Sequence, residues 1–170
     1  MTPIDTVTIR RIYIDDLDQI QHLYEHQIAA DTDPFSQIQV STKQLAFQMR
    51  KLRQQWLAEQ RYFCFVATIP SPDQSEQLIG YIAAVLQTQA SLFKIQSFAS
   101  IGELWVEPEY RRRGIGEAMM KQLLNLIDQM GIEWITVQIP DGHEDVHDFF
   151  QKTGFSKSTI EMRCHLTDNP

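Results

Sequence analysis

ELWVEPEYRRRGIGEAMM, residues 103–120, is the stretch on which the reading of this chain turns. An apolar strand ends at Val106, a short basic turn follows, and Gly114-Ile115-Gly116 leads directly into a helix. A helix start has unpaired main-chain N–H groups pointing outward, and glycines let an anion come close to them. Arg111, Arg112 and Arg113 add positive charge beside that point. Within the strand, Leu104 and Val106 share one face and are expected to enter the core. Glu103 and Trp105 then point the other way.

The remaining elements follow outward from this stretch. The helix is expected from about Gly114 to Met130, with Ile115, Met119, Leu123, Leu126, Ile127 and Met130 on one face and Gly131 as its cap. Upstream, FASIGELWV (98–106) is a strand, and its internal Gly102 predicts a bulge. YFCFVATI (62–69) and QLIGYIAAVLQ (77–87) read as an antiparallel pair across the polar loop PSPDQSEQ. TVTIRRIY (6–13) alternates like a strand. Residues 15–30 place Leu17, Ile20, Leu23, Tyr24 and Ile28 on one helical face. Residues 41–60 open with a Ser-x-x-Gln capping box and predict another helix. Downstream, IEWITVQI (132–139) is a strand, a fourth helix ends at Gly154, and residues 155–166 predict one or two closing strands. The expected architecture is α/β: a single domain over residues 1–170, with one mixed, mostly antiparallel sheet of six to seven strands and helices on both faces.

A chain of 170 residues, 43% of them hydrophobic, can bury one proper core. Its longest apolar run, residues 78–86, is too short to span a bilayer, and its charged N-terminus lacks the apolar stretch of a signal peptide. Cys64 and Cys164 lie far apart and read as free thiols, so a cytoplasmic location is expected. A formal net charge of -7 argues against nucleic-acid affinity and favours a cationic ligand. Asp15, Asp16, Asp18, Glu25, Asp31 and Asp33 hint the same way but suit a solvated surface.

GHEDVHDFF (142–150) contains His-Glu-x-x-His, a zinc-protease signature. Asp141-x-x-Glu144 is at the same time a capping box, with Asp141 as the cap and Glu144 at the third helical position. That places the histidines at a polar helix start, and no further histidine follows at the spacing of the longer protease signature. Two residues one turn apart need a third ligand to make a zinc site, so no metal is expected.

The 103–120 stretch strongly resembles the coenzyme A-binding motif of the GNAT superfamily of N-acetyltransferases. Leu104, Val106, Pro108, Arg111, Gly114 and Gly116 carry the likeness, and IRRIYIDDLDQIQHL, LIGYIAA and FFQKTGF extend it along the chain. The resemblance implies acetyl-CoA as co-substrate, with its pyrophosphate on the turn formed by Arg111, Arg112, Arg113, Gly114, Ile115, Gly116 and Glu117. Its pantetheine would run along Leu104, Trp105 and Val106 where the 98–106 and 132–139 strands splay apart, and Trp105 would wall the acyl site. A main-chain N–H there would stabilise the oxyanion. The acceptor implied is a primary amine on a small molecule or a peptide, which must lose a proton before it attacks. Glu103 is the candidate catalytic base. A homodimer is left open.

Two positions depart from the family pattern. His143 stands where an Asn commonly contacts the cofactor. Phe150 stands where a Tyr usually protonates the departing thiolate, and a phenyl ring has no proton to give. The alternative is therefore a catalytically weak acyl-CoA-binding sensor on the same fold. His147 is expected to be an exposed surface residue.

Overall fold

The computed structural model describes residues 7–30, 51, 61–72, 75–90, 95–140 and 142–160. Two compact units divide it, Met1–Gln138 and Ile139–Pro170.

The first unit is built on five strands in the order β1-β2-β3-β4-β5. These are Thr8–Arg11, Tyr62–Pro70, Glu76–Ala90, Ile95–Val106 and Ile135–Val137. All neighbours are antiparallel except β4 and β5, which are parallel. The mixed, mostly antiparallel α/β sheet is the expected one, with five strands among the described residues rather than six or seven. Residues 155–160 form no strand, and 161–166 of the expected closing segment lie outside the described residues, as do Asp31, Asp33 and Cys164. Of the helix expected over 41–60, Lys51 alone is described, and it is helical.

Helix α1, Leu17–Ala30, follows a 3-10 turn at Ile14–Asp16 and packs on one face of β3 and β4. Ile20 and Leu23 are buried there with Ile12, Cys64, Val66, Leu78, Tyr81, Ala83 and Trp105, while Leu17 and Tyr24 pack at the margin. Ile28, expected on the same apolar face, is exposed near the helix end. The strand residues of this cluster are cross-strand partners: Cys64 with Ala83, Val66 with Tyr81, and Tyr81 with Trp105. Alternation sends Phe63, Phe65 and Ile82 to the opposite face, which helix α2, Ile115–Gln129, covers. Its buried residues are Ile115, Met119, Met120, Leu123 and Ile127. Met130 is exposed, and Gly131, at φ 73, ends the helix as expected.

With a helix on each face, β2 is buried along nearly its whole length. The same sandwiching corrects one expectation. Trp105 is 9% exposed and belongs to the core beneath α1, whereas Leu104 and Val106 are only half-buried. Glu103 and Trp105 do share a face, but helix α1 covers it.

The chain entry into α1 is locked by charge. Asp16 is buried, accepts both guanidinium N–H groups of Arg10 at 2.7 and 2.8 Å, and accepts the Tyr13 main-chain N–H at 2.7 Å. Arg10 also bonds Glu76. Asp16 is thus a structural carboxylate, while Asp15, Asp18 and Glu25 are exposed.

The second unit holds helix α3, Glu144–Lys152. Phe150 is buried, with the rings of Phe149 and Phe155 set edge-on 5.3 and 5.2 Å away. Gly154, at φ 101, donates to the Gln151 carbonyl and ends the helix as expected.

Candidate functional site

Gly102 is an extra residue in β4. Ala83 of β3 faces Glu103 and Ala84 faces Ile101, so Gly102 has no opposite number and forms the expected bulge. On the other edge, β5 pairs with Ala99, Ser100 and Ile101 only. Past the bulge, β4 therefore presents an edge without a strand among the described residues. The direction of its groups follows from one bond: the Glu107 N–H donates to the Ile79 carbonyl at 2.9 Å. By ladder alternation the N–H groups of Trp105 and Glu103 also face β3, and those of Leu104 and Val106 face the open edge.

The turn after β4 is shaped by two left-handed residues, Arg112 at φ 59 and Gly114 at φ 77. Gly114 is the N-cap of α2 and offers no side-chain cap. Ala118 is the first residue to donate back, to the Gly114 carbonyl at 2.9 Å. The N–H groups of Ile115, Gly116 and Glu117 are consequently the ones a helix start leaves for an anion. A Cβ built on Gly114 meets nothing within 4 Å, so the backbone is approachable. The side chain of Ile115 itself points into the core.

The arginines do more than add charge. Arg111 Nε donates to the Val106 carbonyl at 2.8 Å, and its guanidinium lies 4.5 Å from the centre of the Trp105 ring. Arg113 donates to the Glu109 carbonyl at 2.8 Å and lies over Tyr110. Arg111 thus ties the turn to the end of β4, and Arg113 ties it to itself. Arg112 is exposed.

Glu103 is half-buried on the α1 face. Its Oε2 accepts a 2.6 Å hydrogen bond from the Tyr81 hydroxyl, which also contacts the Gln27 side chain at 2.7 Å. Burial, then the charge of Glu103, pushes the Tyr81 hydroxyl well above its ordinary pKa. The buried Cys64 thiol is pushed up by the same two causes. Nearby, a cleft of about 630 Å³ is lined in part by His26, Trp105, Glu107 and Tyr110. His26 Nδ1 meets Glu107 Oε1 at 2.6 Å on its wall.

Sequence reading overlooked Tyr81, Gln27, His26 and Glu107. A signal for two of them existed. Gln27 continues the Ile20–Leu23–Tyr24 apolar spacing with a polar residue, and Tyr81 is a lone hydroxyl within an apolar strand.

His143 and Phe150 belong to the second unit. His143 is the N-cap of α3 without a side-chain cap bond, and Glu144 is the first helical residue, not the third. The helix begins later than the capping-box spacing predicts; Asp141 lies outside the described residues. His147 is half-buried rather than exposed. Among the described residues no three His, Cys, Asp or Glu side chains gather, and no helix is long and apolar enough to cross a membrane.

Comparison with known proteins identifies the fold and the family. The ribosomal protein bS18 alanine N-acetyltransferase of Escherichia coli is 24% identical over 88 residues, 52% of this chain. The match spans 57% of that protein, so the chain covers little more than half of the curated relatives it matches. A transcriptional regulator of Bacillus halodurans superposes with TM-score 0.72 at 19% identity, over 94% of this chain and 99% of the other. An aminoglycoside 6'-N-acetyltransferase of Acinetobacter haemolyticus gives 0.69 at 14% identity, over 93% and 97%. A Trypanosoma brucei acetyltransferase gives 0.68 at 17%, over 94% and 99%. At such identities the structures speak for the fold alone. The profile of the acetyltransferase (GNAT) family matches residues 13–155, and the chain belongs to that family.

Proposed function

We propose that this protein is an N-acetyltransferase that moves the acetyl group of acetyl-CoA to a primary amine, and that residues 1–170 form one such domain. The observation that carries the reading is the pairing of a β4 edge left open among the described residues with an uncapped helix start a few residues downstream. These two features suit the two ends of the co-substrate. The Ile115, Gly116 and Glu117 N–H groups and Arg112 would hold the pyrophosphate, with Gly114 giving it access. The outward N–H groups of Leu104 and Val106 would hold the pantetheine and stabilise the thioester oxyanion. Arg111 and Arg113 keep the turn in shape. Bound acetyl-CoA supplies the activated acyl carbon. Glu103 removes the ammonium proton so that the amine attacks directly, and no metal takes part.

Two of the proteins named above act, by their names, on a ribosomal-protein alanine and on aminoglycosides. Both are amines, which supports the acceptor class. The test is release of free CoA from acetyl-CoA across a panel of polyamines, aminoglycosides, amino acids and peptide N-termini. Turnover with any of them, unaffected by chelator, supports the reading. Tight acetyl-CoA binding with no turnover on the whole panel favours the sensor, the second reading that Phe150 raises.

A further inference from the structure

Tyr81 on β3 stands directly across from Trp105, and Glu103 lies diagonally from it on β4. The residue opposite Glu103 is Ala83, whose small side chain leaves the diagonal open. Through that gap the wholly buried Tyr81 brings its hydroxyl to 2.6 Å from Glu103 Oε2 and 2.7 Å from the Gln27 side chain. A phenol has one proton and two acceptors cannot both take it. The carboxylate is the stronger acceptor and takes the proton, and a half-turn of the Gln27 amide, whose Oε1 stands 2.7 Å away, presents its NH2 group to the Tyr81 oxygen. The result is a directed chain, Gln27 to Tyr81 to Glu103, running from α1 through β3 to β4.

We infer that Tyr81, braced by Gln27, is the positioning residue of Glu103, holding its carboxylate ionised and aimed at the acceptor's ammonium group. The inference rests on the proposal that Glu103 is the base. In the step concerned, one N–H bond of the ammonium breaks and one O–H bond forms on Glu103. This leaves a neutral amine and a carboxylic acid, and Tyr81 keeps its own proton throughout. Its hydroxyl is held protonated by burial and by the Glu103 charge. A donor to the charged form of a carboxylate lowers that group's pKa, so Tyr81 sets the pH at which the base becomes competent. Cys64 from β2 and Tyr24 from α1 are further titratable groups that act on Tyr81.

The experiment follows kcat and kcat/KM against pH in the full chain, using the amine found by CoA release. Tyr81→Phe should lower kcat about tenfold with KM for acetyl-CoA within about twofold, and should move the acid limb up by about half a unit or more. Gln27→Leu should do the same to a smaller extent, while Cys64→Ala and Tyr24→Phe leave the limb in place. Adding Tyr81→Phe to Glu103→Gln should cost nothing further, because the group it positions is gone. An unmoved acid limb in Tyr81→Phe, with a loss that adds to that of Glu103→Gln, overturns the inference and leaves the base assignment standing. Full turnover in Glu103→Gln overturns both. If Tyr81→Phe fails to fold, an unmoved limb in Gln27→Leu decides against it. Carboxyl NMR titration of Glu103 provides the same comparison without turnover, and identical titrations in wild type and Tyr81→Phe also overturn it.

Discussion

Arg111 and Val106 are joined by a hydrogen bond from the guanidinium Nε to the main-chain oxygen at 2.8 Å. This bond ties the basic turn to the last residue of β4, and the same guanidinium covers the Trp105 ring. The residue that the family resemblance places on the pyrophosphate turn also braces strand and turn in this structure.

Arg111→Ala should therefore weaken acetyl-CoA binding by loosening the turn as well as by removing charge. Arg111→Lys should recover little of it, because an ammonium reproduces neither the fixed fork nor the stacking. Calorimetric titration with acetyl-CoA at two salt concentrations checks this. A Lys variant with wild-type affinity would assign the effect to charge alone.

Gly114, at φ 77, has a backbone few L-residues adopt and an open space at its Cβ. Gly114→Val should weaken acetyl-CoA binding by about 2 kcal/mol, or roughly thirtyfold, through strain and by filling the approach to the helix N–H groups. Gly114→Asn tolerates the left-handed backbone better. It should keep its melting temperature near wild type and still bind weakly. Wild-type affinity in both would move the phosphate elsewhere.

At Gly80, β3 lies close against the Trp105–Val106 backbone of β4. A Cβ there would meet the Trp105 carbonyl oxygen at 2.7 Å. Gly80→Ala must push two paired strands apart, and we expect a loss of about 2 kcal/mol, read by urea denaturation. An unchanged midpoint would mean that β4 moves freely at this level.

Cys64 and Tyr81 make the alkaline limb of stability predictable. Both have folded-state pKa values raised chiefly by burial, so the neutral forms are favoured in the fold. Their contribution is complete below the unfolded thiol and phenol pKa values of about 8.5 and 10, and it is lost as the pH rises through the raised folded values. Denaturation midpoints should be flat from neutral pH to about 8.5 and fall above it. The fall should be shallower in Cys64→Ala, and Cys64 should resist thiol reagents until the protein unfolds.

Phe150 is enclosed by the rings of Phe149 and Phe155 within its own unit. Phe150→Tyr adds one hydroxyl and should fold. If thiolate departure limits turnover, kcat should rise, and an alkaline limb near pH ~10 should appear that the wild type lacks. No change in kcat would mean that departure of the thiolate does not limit the rate.

The local elements were legible in the sequence. Apolar spacing found β2, β3, β4, α1 and α2, and single glycines marked the bulge at Gly102 and the helix ends at Gly131 and Gly154. These are properties of neighbouring residues: side-chain period and the backbone freedom of glycine. The glycine turn that leads from residue 111 into α2 was legible for the same reason. The roles of residues brought together from distant strands were not. Alternation put Glu103 and Trp105 on one face of β4, but α1 makes that face a core, burying Trp105. Asp16 looked like surface charge until Arg10 and the Tyr13 N–H closed around it. The Gln27–Tyr81–Glu103 chain joins three segments through a register that carries one extra residue at Gly102. Period and turn chemistry act over a few residues and are written in the sequence. Which hydroxyl meets which carboxylate depends on cross-strand register and on the helix laid over it, and those exist only once the chain has packed.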